Sequence, residues 1–506
     1  MGYSGFKEKI VEYAIVVFDI GMTNKKVAVY DDSLRQLDAH YRNFEPLKIN
    51  DLPCHDLDGM EEWFIEEMKY FGKKYPVKAL SISAHGATFV CVDKNGKCAL
   101  PCVLYTHEPG EDFHNRFYNR FGKAEELQAR TGTPAFRAMI NPAKNIFFVQ
   151  EQFAKEFKNV TAVMTYNSYW CLRFTGKIGA ETSYMGNHNY FWDQIDNKLS
   201  SVAHDLGIAS LMPDKMNKSW DIMAVISAQL AEKTGLSKDT IVTMGLHDSN
   251  SALLAHFAKK GEKGFILNST GTWCVIMNPV EKYGFAPDEL GKVVFFNISA
   301  FGTPIKTAIF LGGLEFETWS KLICKKHRRN DFPPWNEDIY QSILQEKKIF
   351  LLPELTPGSG QFPFSRARVT EEGKNYFFDA EELPPCFDDY EKAFAVLRLS
   401  LVLQTITALE RAGIKNGYEI YTEGGFRKDE CYNRLLSSAF ANNRVFITDI
   451  AEASALGAAM TAKMALSGKT LHDLAGDFDI SYHEQEKFSF PELNAYRQAW
   501  LKEAGK

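Results

Sequence analysis

The sequence predicts an α/β protein made of two related halves that enclose a ligand cleft, and three observations carry that prediction. Strand-like and helix-like segments alternate along most of the chain, the pattern of layered α/β folds. A β-rich run broken by a small-residue turn occurs twice, at 14–30 (AIVVFDIGMTNKKVAVY) and at 264–277 (GFILNSTGTWCVIM). The chain's 506 residues also exceed what one hydrophobic core usually serves. The division is expected near 249–263, with an N-terminal unit over 10–250, a C-terminal unit over 251–480 and a tail over 481–506. A cleft between two such units is a usual place for a ligand.

After the opening strand pair, apolar and charged residues at helical spacing predict a helix over 60–75. Strands are expected at 77–83 and 87–93, flanking Ala84-His85-Gly86, with a turn at Asp93-Lys94-Asn95-Gly96. Helices follow over 111–121 and 143–157, and 164–184 reads as a helix ending at Gly176 with an exposed connection. A helix over 221–234 and a short strand over 241–246 lead to Asp248, at the start of a helix over 249–258. In the second half, 353–385 mixes Pro, Gly and charged residues and reads as a long loop or insertion. The segment 390–412 is a strongly apolar helix buried between layers. A strand at 419–422 runs into Glu423-Gly424-Gly425-Phe426, followed by a helix over 431–441, a strand over 445–448 and a small-residue helix over 452–466.

Composition narrows the function classes. With 45% hydrophobic and 24% charged residues and a net charge of −6, nothing pulls the chain toward nucleic acid or an anionic membrane. The N-terminal MGYSGFKEKIVEY lacks an apolar leader core, and no uninterrupted apolar run reaches the about 18 residues of a membrane span. Nine scattered cysteines read as reduced thiols, which suits a cytoplasmic protein. Cys98, Cys102, His107 and His114 fit no zinc spacing. The basic run 325–329 reads as a solvated helix end, and FHNRFYNRF at 113–121 as an amphipathic surface helix.

The two turns carry the chemistry. Asp19-Ile20-Gly21-Met22-Thr23 and Ser269-Thr270-Gly271-Thr272 each offer backbone N–H groups and hydroxyls, and two such concavities facing each other suit a polyphosphate. Asp248 reads either as a helix N-cap or as a carboxylate that takes a hydroxyl proton during phosphoryl transfer. Asp19 either supports its own turn or faces Mg²⁺, directly or through water. Lys26 either reaches phosphate or is a solvated strand lysine. Neither a Walker A loop nor a dinucleotide-type glycine motif is present.

Taken together these segments resemble the FGGY family of carbohydrate kinases, within the actin-like ATPase-fold superfamily, over roughly residues 14–466. Asp19-Ile20-Gly21-Met22-Thr23-Asn24-Lys25-Lys26 resembles the first phosphate motif, and Ser269-Thr270-Gly271-Thr272 the second. Ser83-Ala84-His85-Gly86-Ala87 resembles the sugar-contacting segment, YWCLRFTG (169–176) the helix with its Leu-Thr-Gly-like end, and Gly245-Leu246-His247-Asp248 the segment bearing the base. Glu423-Gly424-Gly425, with Asn433 on the next helix, resembles the adenosine segment, and EASALGAA (452–459) the helix after it.

The resemblance implies two actin-like (ribonuclease H-like) domains with an active-site cleft between them, and ATP and Mg²⁺ as requirements. It casts Asp248 as general base. It assigns phosphate and nucleotide binding to Gly21, Thr23, Asn24, Lys26, Ser269, Thr270, Gly271, Thr272, Gly424, Gly425 and Asn433. His85, Gly86, Ala87, His247, Asp248 and Trp273 become the sugar-binding set, with Asn187, His188 and Asn189 as weaker candidates, and Asp19 the Mg²⁺ residue. Met22 stands where a small or hydroxylated residue is common and Lys26 where arginine is frequent, so the first turn is expected to act through its backbone and Thr23. His247-Asp248 and the Trp273 that follows the second turn look most like the kinases of deoxy-ketohexoses, L-rhamnulose and L-fuculose. Alternatives are a pentulose, glycerol or other polyol kinase, or a non-catalytic nucleotide-regulated binding protein. A small-molecule sugar is the expected partner, and a homodimer is compatible with the sequence.

Overall fold

The computed structural model describes residues 11–213, 215–378, 382–450 and 452–505. The leaderless reading of the N-terminus rests mostly on residues 1–10, outside those described.

The repeated hairpin becomes the spine of two mixed sheets with the same plan. In the first, Ala14–Ile20 pairs antiparallel with Asn24–Asp31, which pairs antiparallel with Gln36–Asn43. On its other side Ala14–Ile20 pairs parallel with Val77–Ala84, which is followed by Ile241–Thr243 and the edge strand Ile222–Val225. In the second, Phe265–Thr270 pairs antiparallel with Cys274–Pro279, flanked by Pro304–Phe310 and Val294–Ile298. Its other side pairs parallel with Glu419–Gly424, then Arg444–Thr448, closing on the antiparallel edge Tyr482–Glu484. Parallel central strands are buried on both faces, hence the unbroken apolar runs AIVVF and GFIL that open each hairpin.

Each sheet has its own core, and a third core lies between the sheets. That shared core is built on two helices, Asp248–Lys260 and Ala453–Ser467. The second is mostly small and apolar because most of its length is buried against the first helix and the strands of the first sheet. Its glycine permits the close crossing: a Cβ on Gly457 would fall 2.0 Å from the Ser251 carbonyl oxygen of the first helix.

Three expectations need correction. Only Ala228–Thr234 of the span 221–234 is helical, capped by Ser227, whose hydroxyl accepts the Leu230 N–H at 3.2 Å. The preceding Ile222–Val225 extends the sheet edge against Ile241–Thr243, where strand pairing outweighs local helical preference. The span 353–385 is not all loop. Arg368–Glu371 and Lys374–Phe377 form a hairpin on Ile349–Leu352. Its two turn residues, Glu372 and Gly373, have φ of 50° and 85°, the positive pair that matches strand twist. Residues 379–381 of that span lie outside those described. Beyond 480 the chain packs tightly: Leu493–Ala504 buries Tyr496 and Trp500 in the second core.

The apolar helix Tyr390–Arg411 has the length and composition of a membrane span, but it is buried within the second core. Among the described residues no cluster of three or more His, Cys, Asp or Glu side chains could hold a metal ion.

Candidate active site

The strand Leu246–His247 lies parallel to Val77–Ala84, with His247 opposite Ala84, so the chain leaves the sheet beside the His85 turn. The helix Asp248–Lys260 starts at once. Asp248 is its first residue, not its cap; His247 holds the cap position and makes no side-chain capping bond. The Asp248 carboxylate accepts the adjacent Ser249 N–H at 2.5 Å and lies 3.3 Å from His247 Nε2. Its side chain remains 31% exposed, toward the cleft. Desolvation by the surrounding protein lifts its pKa to about 6, while burial pulls His247 down to about 3 and keeps that imidazole neutral. Asp248 is therefore a more basic carboxylate than usual, yet ionised at neutral pH. If it accepts the substrate proton, kcat/KM falls about tenfold per unit as pH drops below about 6. A pH–rate profile flat from about pH 7 to about pH 5 would contradict this role.

Asp248 opens onto a cavity of about 230 Å³ between the two units. His85, Gly86, Ala87 and His247 line it from the first unit and Trp273 from the second, so the structure brings the expected sugar set together. Asn187 and His188 join them, whereas Asn189 is turned inward and donates to the Tyr184 and Met185 carbonyls. The polar groups are held from behind. The Glu181 carboxylate accepts the Ser183 and Tyr184 N–H groups at 2.9 Å each and the Ser219 hydroxyl at 2.7 Å, fixing the turn that presents Asn187 and His188. The Tyr184 hydroxyl donates to the His85 carbonyl at 2.6 Å. Gly86 leaves the room: a Cβ there would fall 2.3 Å from Asn187 Nδ2 and 2.9 Å from His247 Nε2.

Several buried polar atoms of this cavity have no partner among the described residues: His85 Nε2, both side-chain polar atoms of Asn187, His188 Nδ1 and Asn297 Oδ1. Buried polar groups are normally paired, so such a cluster is suited to ligand hydroxyls. Burial pushes His85 and His188 down to about 3, so they too are neutral. The rest of the lining is mainly apolar, Phe136, Ile140, Trp273, Val275, Phe295 and Ile309, and it is interleaved with the polar groups: Asn297 lies two residues from Phe295 on one strand, and the His188 ring packs edge-on against Phe136 and Phe295.

The two turns meet across an adjoining cleft of about 890 Å³, lined by Gly21, Thr23, Asn24, Ser269, Gly271 and Thr272, with Trp273 shared between cleft and cavity. Five expected phosphate or nucleotide residues, Lys26, Thr270, Gly424, Gly425 and Asn433, are not among those lining the cleft. The Thr270 hydroxyl is occupied: it donates to the Glu423 carbonyl and accepts the Phe426 N–H at 2.9 Å. Asn433 is fully buried and donates to the Phe426 and Asp429 carbonyls, tying down the turn that Gly424 and Gly425 begin. Gly424 runs against the Thr270 backbone and does not line the cleft. Lys26 is buried and paired with Glu452 at 2.8 Å, a bridge between the two units.

Asp19 is opposite Lys26 and Ser83 in the sheet and accepts the Ser454 hydroxyl at 2.8 Å. Burial raises its pKa, opposed by Lys26 and two hydroxyls. Asp19 is not among the residues lining the cleft or the cavity; a single carboxylate with no second ligand among the described residues would suit a Mg²⁺ that arrives on phosphate oxygens and keeps its waters.

Sequence reasoning missed Tyr105, Phe136, Phe295 and Asn297 in the cavity and residues 356–359 in the cleft. Only the last had a local signal, the turn-forming Thr-Pro-Gly-Ser, and that signal says nothing about where a loop lands.

Two sheets of one plan, paired turns over a shared cleft and a carboxylate facing a polar cavity define a two-domain, actin-like phosphotransferase. Residues 14–255 match the FGGY family of carbohydrate kinases, N-terminal domain, and residues 262–470 match the carbohydrate kinase FGGY, C-terminal domain. The chain belongs to the FGGY family of carbohydrate kinases and is an ATP-dependent enzyme of that class. A carbohydrate kinase from Novosphingobium aromaticivorans superposes with a TM-score of 0.80 at 25% identity, covering 97% of this chain and 98% of that one. A ligand-bound xylulose kinase from Lactobacillus acidophilus gives a TM-score of 0.79 at 15% identity, covering 97% and 96%. Plasmodium falciparum glycerol kinase with ADP gives 0.76 at 14%, covering 97% of each. The last two likenesses are of fold alone, and no branch of the family is singled out. No curated protein matches the chain by sequence.

Proposed function

We propose that this enzyme transfers the γ-phosphoryl group of ATP to a hydroxyl of a neutral ketose, with Asp248 as general base. The observation that carries this reading is the cavity beside Asp248, lined by buried polar atoms unpartnered among the described residues together with apolar side chains. Asp248 takes the proton of the attacking hydroxyl, the sugar oxygen bonds to the γ-phosphorus, and the bond to the β-phosphate oxygen breaks, releasing ADP. Backbone N–H groups of the turns at 21–23 and 269–272 hold the phosphates, with the Thr23 and Thr272 hydroxyls beside them. Mg²⁺, when bound, neutralises phosphate charge, and Asp19 is the residue that would meet it through water. Closing the units over both substrates excludes water and limits idle ATP hydrolysis. Nine free cysteines fit a reducing, cytoplasmic setting.

The cavity wall also supports a substrate class. Its three histidines are neutral and its one charged group is a carboxylate, so a sugar acid would meet repulsion and no cation. The apolar side chains suit a terminal methyl group, which favours a deoxy-ketohexose such as L-fuculose or L-rhamnulose. A panel of L-fuculose, L-rhamnulose, xylulose, ribulose, glycerol and gluconate, scored by sugar-dependent ADP release, tests this. A deoxy-ketohexose is expected to give the highest kcat/KM, with gluconate at least about 100-fold lower. Gluconate as the best acceptor would overturn the reading.

A further inference from the structure

We propose that Lys25 is the phosphate-binding cation of the first turn, pairing with the terminal phosphates of ATP when nucleotide arrives. The inference rests on the nucleotide reading above for the turn at 21–23.

Lys25 and Lys26 are neighbours on one strand, so they point to opposite faces of the sheet. Lys26 already has its carboxylate, Glu452. Lys25 has none among the described residues: it is 3% exposed, and its ammonium donates at 2.6 Å to the Met22 carbonyl. The titratable groups acting on it bring no negative charge. They are His55 and His85, both kept neutral mainly by burial and both pushed further down by the Lys25 charge. Arg42, opposite Lys25 in the neighbouring strand, is an exposed cation. His55 Nε2 and His85 Nε2 are themselves buried without partners.

A buried ammonium without a counter-anion disfavours folding unless function holds it there. Burial lowers its pKa to about 8, so it is still largely charged at neutral pH. The carbonyl it holds belongs to Met22, which lines the phosphate cleft. Met22 carries no side-chain donor. Lys25 does not itself line the cleft, so on this proposal its four-carbon stem rotates from the Met22 carbonyl toward a phosphate oxygen docked on the turn, replacing a neutral acceptor with an anionic one.

The test compares wild type, Lys25→Met and Lys25→Arg. MgATP affinity is measured by calorimetry without sugar, KM for ATP and for sugar by kinetics, and Tm by thermal unfolding. Lys25→Met is expected to weaken MgATP binding by about 10- to 100-fold, the loss of one charge-assisted bond, while sugar KM stays within about twofold. Its Tm is expected to equal or exceed wild type, because an unpaired buried charge is gone. Wild-type MgATP affinity falls as pH rises through about 8, where the free amine deprotonates. Lys25→Arg keeps its affinity across that range. The inference is overturned if Lys25→Met binds MgATP within about twofold of wild type, or loses Tm with MgATP affinity unchanged. Wild-type protein that binds no MgATP would overturn the nucleotide reading itself, a separate and recognisable failure.

Discussion

Asp248→Asn is expected to lower kcat by about 10²- to 10⁴-fold while MgATP affinity stays within about twofold of wild type. The split follows from the geometry. Asparagine keeps the size and the acceptor oxygen that receives the Ser249 N–H, so the start of the helix Asp248–Lys260 is preserved. The two turns line the adjoining cleft, and Asp248 is not among its lining residues. What is lost is a carboxylate with a pKa lifted to about 6, beside the cavity proposed to hold the attacking hydroxyl. Tm is not expected to fall, since burial already disfavours the ionised form that asparagine removes. Turnover near the wild-type rate would exclude Asp248 as the base.

Gly424→Ala is expected to cost about 3 kcal/mol of stability and to weaken nucleotide binding with it. Gly424 has φ of 76°, in the left-handed region, and its Cβ would fall 1.9 Å from the Thr270 carbonyl oxygen and 3.2 Å from the Thr270 nitrogen. Those are backbone atoms of the strand that carries the second turn, so they yield only by moving the turn. Gly425→Ala is the control: its Cβ meets that oxygen at 3.7 Å, an ordinary contact. Denaturant midpoints and MgATP affinities of the two variants check this. Equal behaviour would show that the close approach at Gly424 has no consequence.

The doubled fold was legible because both copies carry their signals locally: a β run, a small-residue turn, a second β run. The buried helix Tyr390–Arg411 and the small-residue helix Ala453–Ser467 were legible for the same reason. The strand Ile222–Val225 was not, since an edge segment becomes strand through the partner it meets. The site divided along the same line. Asp248, His85, His247 and Trp273 line one cavity, as the family resemblance implied. Motif membership does not say which face a side chain takes. Of two adjacent lysines the sequence drew attention to Lys26, which Glu452 already neutralises, and passed over Lys25. Thr270 likewise sits within the right segment but spends its hydroxyl on backbone, while Asn433 donates its amide N–H groups to backbone and leaves Oδ1 without a partner among the described residues. Phe295 and Asn297 reach the cavity only through the register of a distant strand, which no local pattern encodes.

The central claim is that the γ-phosphoryl group passes directly from ATP to a sugar hydroxyl held beside Asp248. Phosphorus NMR of a reaction containing MgATP and the best acceptor from the sugar panel tests it most directly. One sugar phosphate per ADP, with little inorganic phosphate, is the predicted result. ADP appearing with inorganic phosphate while every sugar in the panel stays unmodified would contradict the account.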